Sequence, residues 1–507
     1  AHYLPGAPRS IHVFFLLLIY KAFGASPLPY HVFNLTMHCL ATVLVFLLLR
    51  RFLAVDEASP NTRNDTVPLL GSLLFGLHPI HVENITFVTL GGTDIFYTLW
   101  ALLSLVCYVW FRDKTLKGRL NYILLAASVV AYAFALMSKE SAVAFVLVYP
   151  LAEFALRRRG YLWALPHAAV LAFMKRGLLA GASAAVAQVA GAQAGTAGPA
   201  ELLKGLGFFA KGIFVPYPHM PYIKEFPATP LLYAFVAVTA LWLAAGIVTK
   251  RRMVTFSAIW FAVLSLPYLF VPTIVSNVAI TAERYVYAPS VSLAFLGGFA
   301  IAAGWGNERF RPTVKTVVLA VLLAYVVLGA VYFYQAWRTE EAFWRYAART
   351  NPQYVSPYPG LSKVLLAEGR AAEAEEVLRE GLQKEKGMPQ EFAQTAYALA
   401  DLKGRQGDLR EAESYYMRSL RYAGNEFAFM DMGFLYLDSG KYQSARWAFE
   451  GALKIRKSPR ALAGLALVHL RLGEKQKAAE YAREAQELAR DAKLKAEAAA
   501  IIREAEK

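Results

Sequence analysis

Two hydrophobic patterns divide the chain. Up to about residue 336, apolar runs follow one another. Several of them reach the roughly 20 residues that a helix needs to cross a bilayer. They lie near 31–53, 67–83, 93–111, 119–137, 141–156, 161–174, 229–249, 253–272, 286–303 and 316–336, which predicts about ten spans. The stretch 11–23, IHVFFLLLIYKAF, is too short to cross and carries Lys21 near its end, so it is expected to lie as an interfacial helix. Segment 201–215 is also short and reads as re-entrant or interfacial. It belongs to an outer loop over 175–228 whose Ala/Gly tract, 180–200, is expected to be flexible. The opening, AHYLPGAPRS, has neither a methionine nor the charged start of a cleavable signal.

Beyond residue 337 the apolar positions form stripes on a polar background, and a period emerges. Gly369–Ala374, Gly407–Ala412, Gly440–Ala445 and Gly473–Ala478 share a Gly-x4-Ala spacing, with the glycines 38, 33 and 33 residues apart. Upstream of each stands a pair on the apolar stripe: Leu361-Ser362, Leu399-Ala400, Met432-Gly433 and Leu465-Ala466. Bulky Leu378, Tyr416 and Phe449 recur where a second helix must pack. The pattern resembles the tetratricopeptide repeat (TPR), a helix–turn–helix of about 34 residues that buries its apolar faces only by stacking. Four repeats are expected over 338–507, after a lead-in helix ending at Asn351-Pro352. The fold class is therefore all-α: a polytopic transmembrane bundle over 1–337, then an α-solenoid.

Composition agrees with this division. Hydrophobic residues make up 57% of the 507 positions and charged residues only 18%, which excludes a single soluble enzyme. The excess positive charge lies in the first 337 residues, with 25 basic and 12 acidic side chains, against 28 and 25 in the remainder. Cys39 and Cys107, the two cysteines, sit inside apolar runs and exclude a disulfide scaffold or a cysteine-based zinc site. Basic clusters follow alternate spans: Arg50, Arg51 and Arg63; Arg112 to Arg119; Arg157, Arg158 and Arg159; Lys250, Arg251 and Arg252; Arg309, Arg311 and Lys315. Placing these turns in the cytoplasm sends the last span outward, so the repeats are expected in the periplasm or a lumen. Two sequons, Asn34-Leu-Thr36 and Asn84-Ile-Thr86, fall on the outer side of that topology. The basic excess is thus a topology signal, and no nucleic-acid partner is expected.

The remaining ionisable residues of the bundle gather on the opposite, outer ends. HPIHVEN supplies His78, His81 and Glu83; Thr93-Asp94 opens the next span; Ser138-Lys139-Glu140 caps a turn. The segment 281–287 supplies Glu283, Arg284, Tyr285 and Tyr287. The loop 175–228 and its flank add Arg176, Lys204, Lys211, Tyr217, His219 and Tyr222. Carboxylates, histidines and fixed cations on one face suit a general base working beside a bound anion. The plainer reading keeps neighbours Lys139–Glu140 and Glu283–Arg284 as ion pairs or helix caps, the tyrosines as belt residues, and Asp94 as a helix-start residue favoured by the dipole. His78-x-x-His81 is a weak metal motif, so no metal or other cofactor is assigned. No Gly-rich nucleotide loop is present, and the charges avoid mid-membrane, which argues against a pump or transporter.

Five segments carry a family resemblance: YLPGAPRSIHVFFLLLIYKAFGASPLPYHVFNLTMHCLA, LHPIHVENITFVTLGGTDIFYTLWA, ALMSKESAVAFVLVYPL, VPYPHMPY and AERYVYAPSVSLAFLGG. In this order, followed by the repeats, they resemble the transmembrane-and-TPR O-mannosyltransferases and their bacterial relatives in the GT-C glycosyltransferase superfamily. The resemblance implies transfer of one sugar from a polyprenyl-phosphate carrier to a protein hydroxyl or a glycan on the outer or lumenal face. The family's catalytic acid lies in the first outer loop, ahead of the interfacial helix. This chain opens inside that loop with no carboxylate before Asp56, so the family base is carried over to no residue, and Glu83 and Asp94 stand as candidates. Arg284 and Lys139 are expected to meet the lipid phosphate, in a donor site with Glu140, Glu283, Tyr285 and Arg176. His78, His81, Glu83 and Asp94 are expected to shape the acceptor or sugar pocket. A bacterial inner membrane with periplasmic repeats fits best, with an endoplasmic reticulum membrane as the equivalent. Two other readings fit the same layout: a non-catalytic membrane-anchored assembly factor, and an O-antigen-ligase-like transferase. The second would need an outer loop richer in Arg and His than 175–228.

Overall fold

A computed structural model describes residues 10–55, 65–88, 90–113, 119–174, 199–216, 230–269 and 282–507. The chain divides into two compact units, Ala1–Trp337 and Arg338–Lys507.

The first unit is a bundle of α1 (Ser10–Phe23), α2 (Pro27–Leu53), α3 (Thr66–Gly76), α4 (Val82–Thr86), α5 (Leu90–Phe111), α6 (Arg119–Ser138) and α7 (Val148–Ala155). It continues with α8 (Tyr161–Met174), α9 (Pro199–Phe214), α10 (Pro230–Val248), α11 (Arg252–Leu269), α12 (Val291–Trp305) and α13 (Arg311–Tyr332). Six described helices are long and apolar enough to cross a membrane: Pro27–Leu53, Gly91–Phe111, Asn121–Ser138, Pro230–Val248, Arg252–Leu269 and Arg311–Trp337. The unit is that of an integral membrane protein. Its outer helices leave Leu241, Val248 and Leu323 more than 60% exposed, a surface that water does not tolerate but lipid does.

Among the described residues, some of the runs expected as spans are not one continuous helix. The run 67–83 is helical only to Gly76, because the residue before Pro79 is driven out of the α region: His78 is extended at φ −64°, ψ 127°. A 3-10 turn, Pro79–His81, and the short α4 follow. The run 141–156 becomes a 3-10 segment, Glu140–Leu147, ahead of the two-turn α7, and Lys139 before it is fully extended. Three shorter apolar helices, α3, α8 and α12, stand where spans were expected, and α1 occupies the interfacial stretch. The short segment 201–215 lies largely within α9. In α9, Phe208, Phe209 and Ile213 are buried against Leu232, Trp242 and Phe261. Residues 175–198 lie outside the described residues.

The centre of the bundle is α5. Most of it is buried, and Tyr97, Leu102, Leu105 and Tyr108 pack with Phe52, Phe145, Tyr149, Trp260 and Phe295 into the main core.

The second unit begins with α14 (Glu340–Thr350). Four helix pairs follow: α15 and α16 (Pro357–Ala367, Ala371–Gly381), α17 and α18 (Pro389–Gln406, Leu409–Tyr422), α19 and α20 (Glu426–Asp438, Tyr442–Ile455), and α21 and α22 (Pro459–Arg471, Lys475–Leu488). A further helix, α23 (Ala492–Ala505), follows. Gly369, Gly407, Gly440 and Gly473 sit between the members of each pair at φ from 72° to 86°, the left-handed region where a Cβ is strained. Ala374, Ala412, Ala445 and Ala478, five residues on, are wholly buried, as are Leu378 and Phe449. Each glycine reverses the chain, and each alanine lets the returning helix approach.

Candidate functional site

The site grows from three places where regular helix fails: the Pro79 break, the extended Lys139, and the extended Ala282 ahead of the 3-10 turn Glu283–Val286. A fourth contribution comes from the close turn between α4 and α5. A Cβ at Gly91 would stand 2.8 Å from the Asn84 carbonyl oxygen, and one at Gly92 would stand 2.7 Å from Asn34 Oδ1. Only glycine lets the start of α5 lie against α4, and this places Asp94 beside the segment that holds Glu83.

Two buried ion pairs result, both formed between residues far apart in the chain. Lys139 Nζ donates to Asp94 Oδ1 at 2.5 Å, and the Tyr268 hydroxyl donates to the same oxygen at 2.8 Å. The Tyr97 hydroxyl stands 3.1 Å from that of Tyr268. Arg284 Nη1 donates to Glu83 Oε1 at 2.8 Å, while the Arg284 backbone N–H donates to Oε2 at 3.1 Å. Tyr285 joins the pairs: its ring lies 4.9 Å from Lys139 Nζ and 5.0 Å from the Arg284 guanidinium carbon, and stacks on Tyr268 at 4.6 Å. Aromatic faces of this kind stabilise desolvated cations. Asn84 fastens the arrangement by donating to the Arg284 carbonyl at 3.2 Å.

The pairs differ in what they leave open. Both oxygens of Glu83 are engaged by Arg284. Glu83 stands on α4, outside the six spans. Burial is the largest influence on it and pushes its carboxyl up to about 7, against the pull of Arg284. At Asp94, Oδ1 is doubly engaged, but Oδ2 is buried without a hydrogen-bond partner, as is Asn84 Oδ1. Two unmet acceptors in one buried cluster are suited to hydroxyl donors.

Both cations have partners far beyond their chain neighbours: Lys139 reaches across 45 positions to Asp94, and Arg284 across 201 to Glu83. Glu283 is buried close enough to Glu83 to raise its carboxyl further, while Glu140 is exposed. His78 and His81 have partners within the bundle. His78 Nε2 meets the Ile213 carbonyl at 3.0 Å and its Nδ1 accepts from the Ile80 N–H. His81 lies in a ring cluster with His38, Phe75 and Tyr287, 3.4 Å from Ser290 Oγ. Among the described residues no group of three or more His, Cys, Asp or Glu side chains converges as a metal site. Arg176, Tyr217, His219 and Tyr222 lie outside the described residues. Sequence reasoning missed Tyr268 and Tyr97, which sit inside apolar runs.

The tetratricopeptide-repeat family matches residues 393–426 and 459–491. Over 419 residues, 71% of this chain and 55% of that protein, the sequence is 24% identical to human protein O-mannosyl-transferase TMTC4. This chain is a relative of the protein O-mannosyl-transferases. It is also 30% identical to Drosophila melanogaster protein O-mannosyl-transferase Tmtc1 over 148 residues, 29% of this chain and 16% of the fly protein. The matches thus span about half, or far less, of these curated relatives' lengths. Among solved structures, that of MamA is similar over 29% of this chain and 85% of its own, with 19% identity and a TM-score of 0.26.

Proposed function

We propose that this protein is a membrane glycosyltransferase that moves a sugar from a polyprenyl-phosphate donor to a hydroxyl of a protein or glycan. The observation that carries the reading is the doubled ion pair, with Tyr285 between its two cations and Asp94 Oδ2 left over. Lys139 and Arg284 offer fixed positive charge to the departing lipid phosphate. Asp94 Oδ2 takes the acceptor hydroxyl's proton as the oxygen attacks the anomeric carbon and the bond to phosphate breaks. Glu83, with both oxygens engaged, positions Arg284. The named relatives support sugar transfer to protein. The basic turns support a site on the outer or lumenal face, where the repeats recruit the acceptor.

Reconstitution in proteoliposomes with a radiolabelled polyprenyl-phosphate mannose and a Ser/Thr-rich acceptor tests this. Labelled acceptor is expected, with Lys139→Ala and Arg284→Ala each at least tenfold slower. Transfer unchanged in both variants overturns the assignment of roles. The full burial of Glu83 and Asp94 favours a second reading, a non-catalytic assembly factor. Absence of transfer across polyprenyl-phosphate sugars by folded wild-type protein would select it.

A further inference from the structure

At the far end of the bundle the basic turns do more than set topology. From Asp94 to Arg112 the central helix rises about 27 Å, at about 1.5 Å per residue. There, Arg112 grips the wholly buried Glu153 with two bonds, Nε to Oε1 at 2.9 Å and Nη2 to Oε2 at 3.2 Å. The Gly160 N–H donates to Oε2 at 3.0 Å. A Cβ at Gly160 would fall 2.0 Å from Arg112 Nη2, so a larger residue there would push the guanidinium out of this arrangement. Arg51 pairs with Asp113 at 2.7 Å. Arg158 has a carbonyl for a partner, that of Val109 at 3.3 Å, and it follows Arg157, held at φ 56°. Arg252 bonds the Phe154 carbonyl at 3.1 Å and lies over the Phe154 ring.

A positive-inside signal requires only a number of basic residues, and mobile exposed ones suffice. Here four arginines are fixed by carbonyls and carboxylates around two acids. Burial first, then the charge of Arg51, holds the Arg158 guanidinium below its ordinary range. Beside them, the first turn of α8 exposes Tyr161, Leu162, Trp163 and Leu165, and Arg112 lies over the Trp163 ring. Fixed guanidinium groups match phosphate oxygens, and an exposed aromatic and aliphatic ledge matches acyl chains.

We propose that Arg51, Arg112, Arg158 and Arg252, with the Tyr161–Leu165 ledge, form a binding site for the phosphate headgroup of an anionic phospholipid at the end of the bundle away from the Asp94 cluster. Glu153 and Gly160 position Arg112 within it. The site is independent of the catalytic reading.

The test uses the full chain in detergent and follows thermal unfolding as lipid is added. Phosphatidylglycerol is expected to raise the midpoint and phosphatidylcholine to leave it unchanged. Competitive retention measured by native mass spectrometry should favour phosphatidylglycerol at least fivefold. Arg158→Gln should abolish that preference, while Arg309→Gln, on a separate basic turn, should keep it. If Arg158→Gln fails to fold, Arg252→Gln replaces it, with at least half of the preference expected to be lost. Equal retention of both lipids by the wild type overturns the proposal. So does full preference in Arg158→Gln or, where that variant does not fold, in Arg252→Gln. Inorganic phosphate that reproduces the thermal shift at millimolar concentration would show a free-anion site and overturn the lipid assignment.

Discussion

Arg284 and Glu83 are each buried on account of the other. Removing one partner leaves a charge without compensation in a dry site, which costs about 3–5 kcal/mol, whereas removing both can be nearly neutral. Arg284→Met and Glu83→Met should each lower the thermal midpoint strongly, and the double variant should recover most of the loss. A double-mutant cycle with a coupling energy below about 1 kcal/mol would show that the pair is not a unit. In the repeat unit Asp431 gives a pH prediction. Burial raises its carboxyl, against the pull of the Tyr397 hydroxyl that donates to it at 2.6 Å. A folded value above the unfolded one means that stability is full below the unfolded carboxyl range and declines as pH rises through the folded one. Asp431→Asn should therefore stabilise the unit at neutral pH, by on the order of 1 kcal/mol or less, and have no effect in acid. Thermal melts at both pH values check the sign.

At the scale of elements, the repeats were legible because their signal is local. A glycine that must be left-handed and an alanine that must be small recur at fixed spacing, and the structure has both in every pair. Gly440→Ala is expected to cost about 1 kcal/mol and Gly440→Asn less, since asparagine tolerates that conformation better. Equal melting of both variants would contradict this. The bundle was less legible. A hydrophobic run records burial in lipid but not where the backbone stops being helical. The run 67–83 therefore reads as one span across the break at His78, and 141–156 as one across its 3-10 segment, while Lys139 falls on the expected turn between two spans. The same breaks bring Lys139 to Asp94 and, with Ala282, Arg284 to Glu83. Partners 45 and 201 residues apart leave no spacing to read, and Tyr268 and Tyr97 look like any other apolar span residue. Gly91→Ala tests the α4–α5 turn: the site should lose transfer activity while the protein remains helical by circular dichroism.

On the scale of the molecule, each unit has its own buried core, one around α5 and one threaded through the repeats. Residues 338–507 produced alone should fold to a helical protein with a cooperative melt, as stacked repeats do. A non-cooperative melt would show that the bundle supplies part of their stability. Helix α23 extends the core beyond the fourth pair. Its Ala498, Ile501 and Ala505 are buried against the final pair, while its far side is largely lysine, arginine and glutamate. That side of α23 therefore offers a charged surface, with little apolar area for another helix to pack on. Single exchanges among those exposed side chains can retune what the helix meets without unravelling the coil.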